Sequence, residues 1–123
     1  MTEPQAPLTA LFCGSRNYFD SDLIGQDIAA LPDGSVVIEG GANGADTTAR
    51  TEARARGLHV ASVPALWDEY GRAAGPLRNQ SMLRLRPDVV YAYVQGASPG
   101  TRGMIRLAEN AGIEVIVREV DSP

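Results

Sequence analysis

The sequence predicts a doubly wound α/β fold, a five-stranded parallel sheet with helices on both faces. Two observations carry that prediction. Short, continuous apolar runs alternate with longer helical stretches along the 123 residues, and glycine-rich turns mark the changeovers. Apolar runs of this kind belong to strands buried on both faces, and strands separated by helices pair in parallel. Right-handed crossovers then leave few topologies. In such sheets a ligand sits outside the carboxyl ends of the strands, near the point where strand order reverses. The loops after strands one, two and four are therefore the ones to watch.

The elements follow in order. Leu8–Cys13 reads as the first strand and ends at the turn Gly14-Ser15-Arg16-Asn17. Asp20 is the expected N-cap of a helix whose apolar face is Leu23, Ile24, Ile28 and Leu31, stopped by Pro32-Asp33-Gly34. Ser35–Glu39 is the second strand, Gly40–Gly44 a glycine loop, and Asp46–Arg56 a helix closed by Gly57. Leu58–Val63 is the third strand, stopped by Pro64. Ala65–Gly75 reads as the one long irregular stretch. Pro76 fits the first turn of a helix running to about Arg86 and ended by Pro87. Asp88–Val94 is the fourth strand and Gly96–Gly100 a second glycine loop. Thr101–Ala111 is a helix with Met104, Leu107, Ala108 and Ala111 on one face, closed by Gly112, and Ile113–Val117 is the fifth strand. The chain is expected to form one domain, with residues 1–7 and 118–123 frayed.

Composition narrows the function. A hydrophobic fraction of 44% and a charged fraction of 21% are those of a globular protein. No run reaches the roughly 18 apolar residues that span a bilayer, and Met1–Pro7 lacks the basic start and apolar stretch of a secretory signal. The cytoplasm is the expected location and no membrane partner is expected. The single cysteine, Cys13, excludes an internal disulfide framework and reads as a buried, inert thiol. Lone His59 reads as structural. No metal and no cofactor are expected. A net charge of −4 argues against non-specific DNA binding, which depends on cations neutralising phosphates. All 11 basic residues are arginines, whose planar fork grips phosphate in bidentate fashion, although a GC-rich genome would produce the same usage.

Four constellations can carry chemistry. In Gly40-Gly41-Ala42-Asn43-Gly44-Ala45-Asp46, glycines allow close backbone approach, and the amides and dipole of the next helix favour an anion. Asp46 can orient a ribose hydroxyl or cap that helix. Gly96-Ala97-Ser98-Pro99-Gly100-Thr101 holds the corresponding position after strand four, where Gly100 and Thr101 present an N–H and a hydroxyl. In Gly14-Ser15-Arg16-Asn17, Ser15 can donate to phosphate and Arg16 either reaches into the crevice or is solvated. In Gly75-Pro76-Leu77-Arg78-Asn79, Arg78 and Asn79 open a helix and can face the same crevice. Before them, Trp67 is either a loop anchor or a platform for a base, and Asp68 and Glu69 read as solvated carboxylates.

In this order the constellations resemble the SLOG superfamily, the Rossmann-like group joining DNA-processing protein A to the LOG phosphoribohydrolases. The resemblance is strongest to its YspA-like branch, DUF2493, and covers Leu8 to Val117. It rests on Gly14-Ser15-Arg16, on Gly40-Gly41-Ala42 with Gly44-Ala45-Asp46, on Trp67-Asp68 through Arg78-Asn79, and on Gly100-Thr101. It implies that Gly14, Ser15, Arg16, Gly40, Gly41, Gly44, Asp46, Arg78, Asn79, Gly100 and Thr101 line one nucleotide pocket, with Asn43 and Trp67 beside them. It also implies a homodimer or larger assembly. The chain departs from the LOG pattern: Arg78-Asn79 stands for Arg-Lys, and Met104 stands where the glutamate that assists glycosidic cleavage is found. A thioether neither accepts a proton nor stabilises an oxocarbenium ion.

Three functions follow from these residues. The first is binding of a nucleotide or nucleotide-derived ligand, ADP-ribose-like or a nucleoside phosphate, by a sensor or sequestering protein. The second is nucleotide N-glycoside hydrolysis with Glu39, Asp46 or the Asp68–Glu69 pair in place of the missing glutamate. The third, which the charge disfavours, is single-stranded nucleic-acid binding in DNA processing.

Overall fold

The computed structural model describes residues 5–18 and 20–120. It has the expected architecture: five parallel strands in the order β3-β2-β1-β4-β5 with helices on both faces. The strands are β1 (Thr9–Gly14), β2 (Val36–Glu39), β3 (His59–Ser62), β4 (Val89–Gln95) and β5 (Glu114–Val120). The helices are α1 (Ser21–Ala29), α2 (Ala45–Ala55), α3 (Trp67–Tyr70), α4 (Ala74–Arg84) and α5 (Pro99–Asn110).

Alternation along the central strands feeds two cores. Ala10 and Phe12 of β1 meet Ile24 and Ile28 of α1 and Ala45, Ala49 and Ala53 of α2 on one face. Leu11 and Cys13 turn the other way, to Met82 of α4 and to Met104 and Ala108 of α5. Leu11 pairs with Ile38 on one side and Val90 on the other, so the centre of the sheet is sealed above, below and laterally. Strand order reverses between β1 and β4, and the chain returns there from one face to the other.

Local chemistry sets the helix ends. Asp20 accepts from the Leu23 amide at 3.1 Å, the side-chain cap read from the sequence. Gly57 and Gly112 close α2 and α5 through paired reverse bonds, Leu58 N to Ala53 O and Ile113 N to Ala108 O.

Three stretches differ from the sequence reading. Residues 65–75 are not one irregular run: α3 is followed by a 3₁₀ turn, Gly71–Ala73, and α4 begins at Ala74, two residues before Pro76. The helix stops at Arg84, and Arg86 takes a left-handed φ of 56° ahead of Pro87. The fifth strand runs past Val117, because Arg118, Glu119 and Val120 pair with Tyr93, Val94 and Gln95 of β4. Residues 1–4 and 121–123, read as part of the frayed ends, lie outside the described residues.

Candidate functional site

The carboxyl ends of β1, β2 and β4 open into one crevice of about 1170 Å³, which continues along α4 and α5. Its floor is tied together by hydroxyls. Ser15 Oγ accepts from the Gln95 amide at 2.9 Å and lies 2.7 Å from Ser98 Oγ, which donates to Thr101 Oγ1 at 3.0 Å. This chain joins the β1 loop to the start of α5 across the point of strand reversal. It also holds Ser98 at a φ of 43°, a left-handed conformation that costs a non-glycine residue about 1 kcal/mol.

The β2–α2 loop is held by two carboxylates. Glu39 is fully buried, and its oxygens take the Gly41 amide at 2.7 Å, the Ser62 hydroxyl, and Arg50 at 3.4 Å. Asp46 Oδ2 accepts from the amides of Gly40 at 3.0 Å and Ala42 at 3.3 Å. Burial pushes the Asp46 carboxyl up to about 6, against the pull of the Ala42 amide and the Arg78 guanidinium. Arg78 donates to the Gly40 carbonyl at 2.8 Å and to Asn79 Oδ1 at 2.9 Å, and Asn79 Nδ2 reaches the Gly100 carbonyl. Cys13 sits at the base of the crevice, where burial raises its thiol far above the ordinary range.

The glycines divide into two kinds. A Cβ on Gly14 would lie 2.6 Å from Ala45 Cβ, on Gly40 2.4 Å from Arg78 Nη1, and on Gly44 2.2 Å from the Arg16 carbonyl. Packing inside the protein demands glycine at Gly14 and Gly44, and Gly40 makes room for the Arg78 guanidinium. Around Gly100 there is nothing within 4 Å, and around Gly103 only the Arg106 guanidinium at 3.8 Å. A glycine inside a helix costs about 1 kcal/mol relative to alanine. No protein contact accounts for that cost at Gly103, and Gly100 stands in the first turn of α5.

Charge is distributed unevenly. The described lining carries Arg16, Arg78 and Arg106 against the single carboxylate of Asp46, in a chain whose net charge is −4. Arg50, Arg102 and Arg118 are each paired with an acid, whereas Arg16 and Arg106 make no ion pair among the described residues. The amino end of α5, with Pro99, Gly100 and Thr101 in the lining, opens on the same space, and its dipole adds to the positive potential.

Twelve of the residues singled out in the sequence line this crevice: Gly14, Ser15, Arg16, Gly40, Gly41, Asn43, Asp46, Trp67, Arg78, Asn79, Gly100 and Thr101. Gly44 does not; it packs on the Arg16 backbone behind the wall. Glu39 is turned away among Arg50, Ser62 and the Gly41 amide, and Asp68 and Glu69 are exposed outside the lining. His59 is exposed at the head of edge strand β3. Met104 is fully buried with Leu11, Cys13 and Met82, so its position on α5 faces the sheet and not the crevice. Leu107, expected beside it in the core, lines the crevice, and Ala111 is exposed.

Sequence reasoning missed Gln95, Arg106 and Asn110, which also line the crevice, and gave no role to Ser98 and Gln80 within their motifs. A signal for the α5 members exists. Gly103, Arg106, Leu107 and Asn110 recur at i, i+3, i+4 and i+7, a second face beside the apolar one.

No protein family model matches the chain. Among solved structures it superposes on DNA processing protein A (DprA) from Streptococcus pneumoniae with a TM-score of 0.73 at 19% identity. That match covers 90% of this chain, which spans 50% of the length of the other, and it establishes a shared fold. Among described residues no helix is long and apolar enough to cross a membrane. The Gene 61 protein of Mycobacterium phage D29 is 40% identical over 117 residues, covering 86% of this chain and 92% of that protein. On that identity and coverage, the chain belongs to the family of the mycobacteriophage D29 Gene 61 protein.

Proposed function

We propose that the crevice binds a phosphate-bearing nucleotide or nucleotide-derived ligand, and that the protein is a sensor or sequestering partner for it. We read the chain as a member of the SLOG superfamily and of its YspA-like branch. One observation carries the proposal: Arg16, Arg78 and the amino end of α5 meet in a crevice whose described lining has one carboxylate, in an otherwise acidic protein. Charge-assisted bonds from such a set suit phosphate oxygens, and Trp67, half-exposed at the rim, suits a base.

Binding is favoured over cleavage of the N-glycosidic bond. Of the carboxylates considered for hydrolysis only Asp46 lines the crevice, and its Oδ2 is committed to two loop amides. Incubation with AMP is expected to release no free base above the level of buffer.

Native mass spectrometry of protein purified from cells tests the proposal directly. A bound species of nucleotide mass is expected, and calorimetry with that species should lose at least about tenfold in affinity in Arg16→Ala or Arg78→Ala. A ligand-free protein that binds no nucleoside phosphate in calorimetry would overturn it. The fold shared with a protein named for DNA processing favours a second reading, single-stranded nucleic acid in the same crevice. Tighter binding of an oligonucleotide than of any mononucleotide would select that reading.

A further inference from the structure

The crevice extends beyond the strand loops along α5, where Gly103, Arg106, Leu107 and Asn110 form its wall. From Thr101 to Asn110 that wall is ten residues of helix, about 13 Å from first to last at the α-helical rise. This is several times the 3.4 Å rise per nucleotide of a nucleic-acid strand. A ligand that stops at Arg16, Arg78 and the start of α5 leaves the stretch unused.

We infer that this stretch is a second anion subsite, and that the ligand consists of two nucleoside-like halves joined through phosphate. The inference rests on the reading of the crevice as a phosphate site. Gly100 and Gly103 give it floor space: both are helical, both have room for a side chain, and neither is required by a protein contact. Arg106 gives it charge. Its guanidinium lies back over Gly103, 3.8 Å from where a Cβ would stand, and makes no ion pair among the described residues. Leu107, Asn110 and Gln80 carry the wall onward with one apolar surface and two amides, a combination suited to a sugar or base edge. Trp67, half-exposed in the same lining, offers a second platform. The lining thus provides two surfaces for a nucleoside, together with the arginines.

A free diphosphate-linked molecule and the end of a single strand of nucleic acid share this chemistry. Calorimetry separates them, using AMP, ADP-ribose and a short single-stranded DNA as probes on wild type, Arg106→Gln and Gly103→Leu. Leucine favours helix more than glycine does, so the second variant fills the floor without unfolding α5. Both variants are expected to lose about fivefold or more in affinity for ADP-ribose or for the oligonucleotide, and to hold AMP within about twofold. Whichever two-part probe shows the loss identifies the source. Equal losses for AMP and the two-part probes, or no loss for any, would overturn the subsite while leaving the crevice reading intact. Wild type that binds none of the probes would overturn both.

Discussion

Asp46 carries the one negative charge among the described crevice side chains, and its surroundings decide how that charge behaves. Burial lifts its pKa from 3.8 to about 6, so the folded state holds the proton more tightly than the unfolded chain. The stability this group contributes is full below about pH 4 and is lost as pH rises through about 6. Asp46→Asn keeps an oxygen for the Gly40 and Ala42 amides and removes the charge. Urea denaturation of that variant is expected to show a flatter pH dependence between pH 4 and 6, with stability at pH 7.5 no lower than wild type. A wild-type slope in the variant would refute the assignment. In the sequence Asp46 read as a ribose contact or a helix cap, and in the structure its Oδ2 also holds the loop. The glycines teach the same lesson. Sequence cannot separate Gly40, which makes room for Arg78, from Gly100, which faces open space, because both lack the same atom. This bears on mutagenesis. Gly41 has a φ of 73°, so a side chain there strains the loop, whereas a Cβ at Gly100 would stand in open space on the crevice lining. Loss of nucleotide binding with unchanged circular dichroism is expected for Gly100→Val.

Among the elements, α5 shows how a helix serves two masters. Its face of Thr101, Met104 and Ala108 is buried, and its face of Gly103, Arg106 and Asn110 lines the crevice. Met104→Glu would not supply a crevice carboxylate; it would bury one among Leu11, Cys13 and Met82. Such burial without a partner is expected to cost about 2 kcal/mol or more, read as a lower urea midpoint, with no gain of AMP hydrolysis. On the opposite face α1, β4 and β5 are clasped by one acid. Tyr93 donates to Asp27 Oδ2 at 2.7 Å, and Arg118 grips both Asp27 oxygens at 3.1 and 2.8 Å. The arginine is partly exposed, so most of the clasp's value lies with the buried tyrosine hydroxyl. Asp27→Ala orphans that hydroxyl and is expected to cost about 1–3 kcal/mol in the same assay. Neither clasp nor helix end at Ala74 was legible in the sequence. A pairing across 66 residues leaves no local pattern, and Pro76 marks a first turn only to within a residue or two.

At the scale of the molecule, three crevice arginines sit in a chain of net charge −4. An anionic ligand is therefore held against the overall field, by local charge that salt screens. Raising ionic strength from about 0.1 to 1 M shortens the screening length from about 10 to about 3 Å. Nucleotide affinity is expected to fall several-fold over that range in calorimetry, and salt-independent affinity would contradict an arginine-built site. The sequence by itself determined the alternation of strands and helices, the parallel sheet and the three loops that meet at its carboxyl edge. Those follow from local signals: β-branched apolar runs, helix-closing glycines and the short reach of each connection. It also placed twelve of the lining residues: those after β1, β2 and β4 because a strand-to-helix loop brings its residues to that edge, and Trp67, Arg78 and Asn79 through the motif that carries the resemblance. Only the tertiary structure decided which side of each element faces the crevice. It put Glu39 and Met104 behind the wall, brought Arg106 and Asn110 onto it, and gave Asp46 its partners. Those outcomes depend on how α4 and α5 pack across the sheet, a sum of distant contacts that no local stretch of sequence contains.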